Sequence, residues 1–304
     1  MRVAPVQDNA PCPCGNNKTY ADCHKAINEA WPNGIVNVAR KLYLDEWGFT
    51  SQHLFNQGGY NWAARQLAPY TPNKIFDVGC GVGYGLSSII SEYPDIEIIA
   101  IDENGLCLDA TAKTLEEVNS VTANKISRME SKCRNDGFHI NTYRSGLIAV
   151  SSQVTLIESD FFKDEELSRW LHRSEKFDAI TVWLCGTHKE RQFCYSCRNI
   201  NNNAENRLWT QNMAYELADQ ILKIGGALHI LDRVNLGETK QYENEVIRCH
   251  QEQAEPTTLR PVAVSSFPYD LPTDPKGISF IGSLENNIIQ PQRIELQSVI
   301  SVKS

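Results

Sequence analysis

The sequence predicts an α/β protein built on a mostly parallel sheet, and three observations carry that expectation. Residues 74–102, KIFDVGCGVGYGLSSIISEYPDIEIIAID, read as strand, glycine turn, helix and second strand. Further β-rich runs at 154–157, 177–184 and 227–232 are separated by helical patterns, the alternation that builds parallel strands. A length of 304 residues is enough for one large α/β domain with appendages.

Taken in order, residues 25–72 have a helical pattern, with Ile35, Val38, Ala39 and Leu42 on one face, followed by Leu54, Phe55, Tyr60, Trp62, Ala63 and Leu67. Pro69 and Pro72 close that stretch. The first strand, Ile75 and Phe76 passing to Asp77 and Val78, runs into four glycines at alternate positions: Gly79, Gly81, Gly83 and Gly85. Leu86, Ile89 and Ile90 recur at helical spacing until Tyr93 and Pro94, and the second strand ends on Asp102. Glycine suits such a turn because the backbone bends sharply and a Cβ would hold a ligand away from the helix N-terminus. An adenosine-containing ligand fits this arrangement, with the Asp102 carboxylate placed to accept from both ribose hydroxyls. A dinucleotide fingerprint needs Gly-x-Gly-x-x-Gly, but counting from Gly79 puts Tyr84 in the last place and from Gly81 puts Leu86 there. Neither register suits a nicotinamide dinucleotide.

Residues 106–118 read as the next helix. The stretch 119–152 is long for one connection and carries Lys125, Arg128, Lys132, Arg134 and Arg144, a charge run expected on a solvated helix face. The third strand, 154–157, leads to Glu158, Ser159, Asp160, Phe161 and Phe162, with Asp160 also able to cap the helix expected at 163–171. The fourth strand, 177–184, leads to Cys185, Gly186, Thr187 and His188. A long helix is expected over 208–224, closed by Gly225 and Gly226, with strand five at 227–232. Asp232 either lines a pocket or pairs with Arg233 at the surface. A helix at 243–253 and strands at 261–267 and 278–284 follow, with an edge strand expected at 293–302. There are no internal repeats.

Apolar residues at 41% and charged residues at 22% are ordinary for a globular protein, and no apolar run is long enough to cross a bilayer. The first ten residues have no apolar core, so the expected location is cytoplasmic, without a membrane partner. A formal net charge of -8 argues against broad nucleic-acid binding. Of ten cysteines, Cys80, Cys107, Cys133 and Cys249 are scattered singly, as buried thiols are. The others fall into two groups, Cys12, Cys14, Cys23 and Cys185, Cys194, Cys197, a distribution that suits metal ligands better than disulfides. Cys12, Cys14, Cys23 and His24 form a closed set for tetrahedral zinc. Cys185, His188, Cys194 and Cys197 have the ligand count of a second site, and three roles compete for His188: catalytic base, metal ligand or structural histidine.

The run Asp77-Val-Gly79-Cys-Gly81-Val-Gly83, with Asp102 ending the second strand, resembles the first motif of the class I S-adenosylmethionine-dependent methyltransferases. That resemblance, covering about residues 50–285, implies a Rossmann-like fold with a mostly parallel seven-stranded sheet and an antiparallel terminal strand. It further implies that Asp77, Gly79, Cys80, Gly81 and Gly83 form the turn beneath the cofactor, that Asp102 with Glu103 lies at the ribose, and that Asp160 and Phe161 flank the adenine. An aromatic-rich helix before the first strand covers the cofactor in many such proteins, so Phe55, Tyr60 and Trp62 are candidates for a lid. His188 lies where the family places acceptor-side residues. Residues 11–24, PCPCGNNKTYADCH, are similar to the SEC-C motif, a short zinc module that docks onto protein or ribosomal partners. The domain organisation this implies is a zinc module at 1–28, a helical lid region at 29–72 and a methyltransferase domain at 73–304. The methyl acceptor stays unidentified, small molecules being preferred over protein or RNA, and the rival class is a scaffold that keeps the fold and transfers nothing.

Overall fold

A left-handed Gly58, φ +80°, ends one helix and starts the next, a backbone that a Cβ would strain. The computed structural model describes residues 6–13, 18–31, 34–144, 147, 152–200, 202–235, 239–270, 272 and 294–304. Its helices before the sheet are α1 (Ala26–Glu29), α2 (Ile35–Asn56) and α3 (Gly59–Arg65). Then come β1 (Lys74–Val78), α4 (Tyr84–Glu92), β2 (Glu97–Asp102), α5 (Gly105–Asn119), β3 (Asn124–Ile126), β4 (Met129–Cys133), β5 (His139–Tyr143) and β6 (Val154–Glu158). The remaining elements are α6 (Glu165–Arg173), β7 (Phe177–Trp183), α7 (Asn203–Ile221), β8 (Leu222–Asn235), α8 (Thr239–Ala254), β9 (Leu259–Tyr269) and β10 (Ile294–Lys303).

Eight strands form one sheet in the order β3-β6-β2-β1-β7-β8-β10-β9, and β4 with β5 makes a separate hairpin. β10 pairs antiparallel with both β8 and β9, while the other pairings of the main sheet are parallel. This is the expected Rossmann-like, mostly parallel sheet, with the short β3 added to seven strands. Successive residues of β1 point to opposite faces, so Ile75 joins a core with Leu86, Ile98 and Leu108, and Phe76 joins one with Ile99, Phe177 and Tyr215. Helices therefore cover both faces, which is why these strands read as continuous apolar runs.

Three local expectations change. The charged stretch 119–152 is not a helix: among its described residues are β3 and the β4–β5 hairpin, whose turn uses Gly137 at φ +83°. Arg128 is buried, pairing with Asp164 and Glu166, because those two carboxylates lie at the start of α6 beside it. α7 starts earlier and ends at Ile221, and Gly225 and Gly226 lie inside β8, where the pairing with β7 jumps from Phe177↔Leu222 to Ala179↔Ala227. They make a bulge, not a helix cap. The segment expected at the sheet edge, β10, is interior; the edge at that end is β9, which carries Pro261 and Pro268, residues that cannot donate to a second neighbour. The strand expected at 278–284 lies outside the described residues.

A buried polar chain ties the middle of the sheet together. The Trp183 indole donates to His229 Nδ1 at 3.2 Å, and His229 Nε2 is 2.8 Å from Ser298 Oγ. Burial pushes His229 down to about 3, so its ring is neutral and links β7, β8 and β10 as donor and acceptor at once. No helix among the described residues is long and apolar enough to cross a membrane.

Candidate functional site

The carboxyl ends of β1, β2, β6 and β7 open into one cleft, the place where open α/β sheets take ligands. Its floor is the glycine turn. Gly79 N and Cys80 N donate to Ile101 O at 2.8 and 3.2 Å, pinning the turn to β2. Gly81 has φ +57°, and a Cβ there would sit 2.6 Å from Trp47 Nε1, so only glycine lets α2 close over the turn. Gly83, at φ +87°, would press a Cβ to 2.9 Å from the Thr111 backbone of α5.

Asp102 stands at the rim between turn and cleft. Its Oδ2 accepts from Gly81 N at 3.0 Å and its Oδ1 from Asn104 N at 2.9 Å. Burial raises its carboxyl to about 7, with the neighbouring Glu103 charge adding to the rise. Asp77 is buried behind the turn, where it accepts from Thr181 Oγ1 at 2.5 Å; burial lifts it to about 7 as well. Cys80 is also buried, its thiol taking a bond from Thr111 Oγ1. Thus Gly79, Gly81, Asp102, Glu103 and Phe161 line the cleft, whereas Asp77, Cys80 and Gly83 shape it from behind.

Glu103 is the hub of a charged cluster. Its carboxylate meets Arg40 of α2 at 2.6 Å, Arg191 at 3.0 Å and His188 Nε2 at 3.4 Å. Burial alone would raise Glu103, but Arg191 and Arg40 outweigh it and hold the group well below the usual carboxylate range. Arg191 also reaches Asp160 at 2.7 Å, and Ser196 donates to the other Asp160 oxygen at 2.9 Å. Asp160, fully buried, is therefore committed to the loop after β7, and Ser159 and Phe161 line the cleft on its behalf. Asp160 does not cap α6; Asp164 does, accepting from Leu167 N at 3.0 Å.

The aromatic candidates from the N-terminal helices lie elsewhere. Tyr60 is in the core, its hydroxyl 2.8 Å from Ser51 Oγ and its ring stacked on Trp183. Phe55 packs on Tyr84 and Trp62 on Phe267. The rings that reach the cleft are Tyr43 and Trp47, earlier on α2. Nothing in the sequence marks these two rings, Arg40, Arg191, Asn206 or Thr210 as site residues, because none belongs to a local motif. Asp232 turns from Arg233 toward α7, accepting from Gln211 Nε2 at 2.5 Å with Arg207 at 3.6 Å.

At the N-terminus, an antiparallel bridge between Pro11 and Thr19 sets Cys12 beside the helical turn that carries Cys23 and His24. His24 Nδ1 is 3.2 Å from Cys12 Sγ and 3.0 Å from Cys23 Sγ, and the three ligand atoms lie within 4.8 Å of one another. Two sulfurs and an imidazole at that spacing fit three corners of a zinc tetrahedron. Cys14 lies outside the described residues. No other such group occurs among the described residues: Cys185, His188, Cys194 and Cys197 do not converge, and Cys185 Sγ donates to Val78 O at 2.9 Å.

No family model matches the sequence, and no curated protein matches it. Solved structures do resemble the fold. The O-methyltransferase TomG from Streptomyces achromogenes, in complex with SAM, is 10% identical over 81% of this chain and 80% of its own, with a TM-score of 0.40. TrmN from Thermus thermophilus is 11% identical over 80% of this chain and 48% of its own, with a TM-score of 0.44. The methyltransferase domain of a bacterial Hen1 is 12% identical over 82% of this chain and 99% of its own, with a TM-score of 0.43. These are likenesses of fold.

Proposed function

We propose that this chain is an S-adenosylmethionine-dependent methyltransferase carrying an N-terminal zinc segment for docking. The observation that supports it most is the Asp102 carboxylate held by Gly81 N–H and Asn104 N–H at the mouth of a cleft whose floor is the glycine turn. A ribose offers two hydroxyl donors to such a carboxylate, and each oxygen keeps a lone pair after its backbone bond. Gly79 and Gly81 leave the floor open for a methionine moiety, and Phe161 offers a ring face to an adenine. When bound, S-adenosylmethionine would supply a methyl group already activated on a sulfonium, so the protein need not generate a leaving group of its own. The chain itself aligns the reactants and excludes water, with Tyr43 and Trp47 as the apolar cover and His188 positioned to take a proton.

The zinc segment is too short to bury a core, so metal binding would supply its folding free energy. Cys12, Cys23 and His24, with Cys14 as the fourth ligand, would hold the ion in a closed site that leaves no position for catalysis. Its role in this reading is to dock a protein or ribosomal partner.

Isothermal calorimetry with S-adenosylhomocysteine tests the cofactor reading directly. Saturable heat at a single site is expected, and a flat titration would end the proposal. Metal analysis of the same protein should find zinc at one equivalent. The Cys12→Ser, Cys23→Ser double variant should lose that zinc while keeping S-adenosylhomocysteine affinity, and retention of the metal would remove both cysteines from the site.

A further inference from the structure

α7 sends one face toward the cleft. Asn206 and Thr210, one helical turn apart, line it, while the adjacent Arg207 and Gln211 turn away to hold Asp232. Asn206 is only 5% exposed, yet its Oδ1 has no hydrogen-bond partner among the described residues. Its backbone is fixed by Thr210 Oγ1, which donates to Asn206 O at 2.8 Å. Across the cleft, the loop after β7 presents two more unsatisfied groups. Thr187 Oγ1 and His188 Nδ1 are both buried without a hydrogen-bond partner among the described residues.

Buried polar atoms are nearly always satisfied. His188 Nε2 and one Arg191 nitrogen on these walls also lack a hydrogen bond but lie against the Glu103 carboxylate, so Asn206 Oδ1, Thr187 Oγ1 and His188 Nδ1 are the ones left with neither a hydrogen bond nor an ion pair among the described residues. An apolar substrate would leave them orphaned. A thioether or a carbon nucleophile offers them no proton. A group bearing N–H or O–H satisfies them, because amide, hydroxyl and imidazole can all accept. The orientation of His188 suits it to accept as well. Its Nε2 lies 3.4 Å from the Glu103 carboxylate, an ion-pair contact without hydrogen-bond geometry, and the nearby negative charge favours the proton on Nε2, which leaves Nδ1 as the acceptor.

Resting on the methyltransferase reading, we infer that Asn206, Thr187 and His188 form the acceptor subsite, and that the acceptor is a protic nitrogen or oxygen nucleophile. Asn206 and Thr187 bind and orient the acceptor, and His188 Nδ1 receives the proton it sheds as it gains the methyl group. Asn206 thereby sets specificity: it selects among nucleophiles without taking part in proton transfer.

Saturation-transfer NMR with three fragments sharing one ring tests this on the full chain saturated with S-adenosylhomocysteine. Benzylamine and benzyl alcohol carry the protic groups; ethylbenzene carries neither. Both protic fragments should bind about tenfold or more tighter than ethylbenzene, the cost of leaving buried polar groups unpaired. In Asn206→Ala that preference should collapse, while S-adenosylhomocysteine affinity stays within about twofold. Thr187→Val, isosteric and independent of α7, should narrow the preference too and serves if Asn206→Ala fails to fold. Equal binding of all three fragments to the wild type, or an intact preference in both variants, overturns the subsite while leaving the cofactor reading standing. Absence of S-adenosylhomocysteine binding overturns both.

Discussion

Replacing Asp102 by alanine is expected to weaken S-adenosylhomocysteine binding by about 1.5 to 3 kcal/mol, the range for hydrogen bonds to a charged group. That is roughly ten- to a hundredfold in dissociation constant. The same side chain should impose a pH dependence. Burial raises the carboxyl to about 7 in the free protein, so at acid pH it carries a proton and offers the ribose a poorer acceptor. The dissociation constant should therefore rise about tenfold for each unit the pH falls below 7, and level off above it. Asp102→Asn should bind weakly at every pH and show no such slope. Calorimetry from pH 5.5 to 8.5 decides: a flat wild-type profile, or an Asp102→Ala protein binding like the parent, would take Asp102 out of the site.

Arg128→Ala is expected to destabilise the fold by about 3 to 5 kcal/mol, the loss seen when one partner of a buried ion pair is removed. Arg128 is 4% exposed and pairs with Asp164, whose side chain is 1% exposed, and with Glu166. Its Nε donates to Arg144 O at 3.1 Å, tying the β4–β5 hairpin to the loop that carries Ser159 and Phe161. An exposed pair would be worth only about 0 to 1 kcal/mol, so the magnitude separates the two descriptions. Urea denaturation measures it. Adding Asp164→Asn should restore part of the loss, because an asparagine keeps the cap on Leu167 N without burying an unpaired charge. A loss under about 1 kcal/mol for Arg128→Ala would mean the pair is effectively solvated.

The fold was legible where chemistry is local. The turn from β1 into α4 shows in the alternate glycines, and both neighbouring strands show in apolar runs that fill two faces of a covered sheet. The same logic failed at 119–152, where a count of charges suggested a helix. Arg128 there is not solvated, because carboxylates more than thirty residues later in the chain surround it. Periodicity cannot register a partner at that distance. Likewise Phe55, Tyr60 and Trp62 read as a lid because they are aromatic and precede β1, but which rings of the helical region face the cleft depends on how α2 crosses the turn. The crossing brings Tyr43 and Trp47 there.

The amino-acid order by itself determined the glycine turn, the acid that ends β2 and the Cys-His grouping at the N-terminus, since each needs only residues a few positions apart or one strand away. The tertiary structure alone decided that Arg191 reaches both Glu103 and Asp160, that Asn206 faces the cleft, and that the cysteines after β7 do not meet. Those outcomes follow from packing: sheet order and helix rotation bring together groups whose spacing along the chain carries no period, and spacing is all a sequence can display.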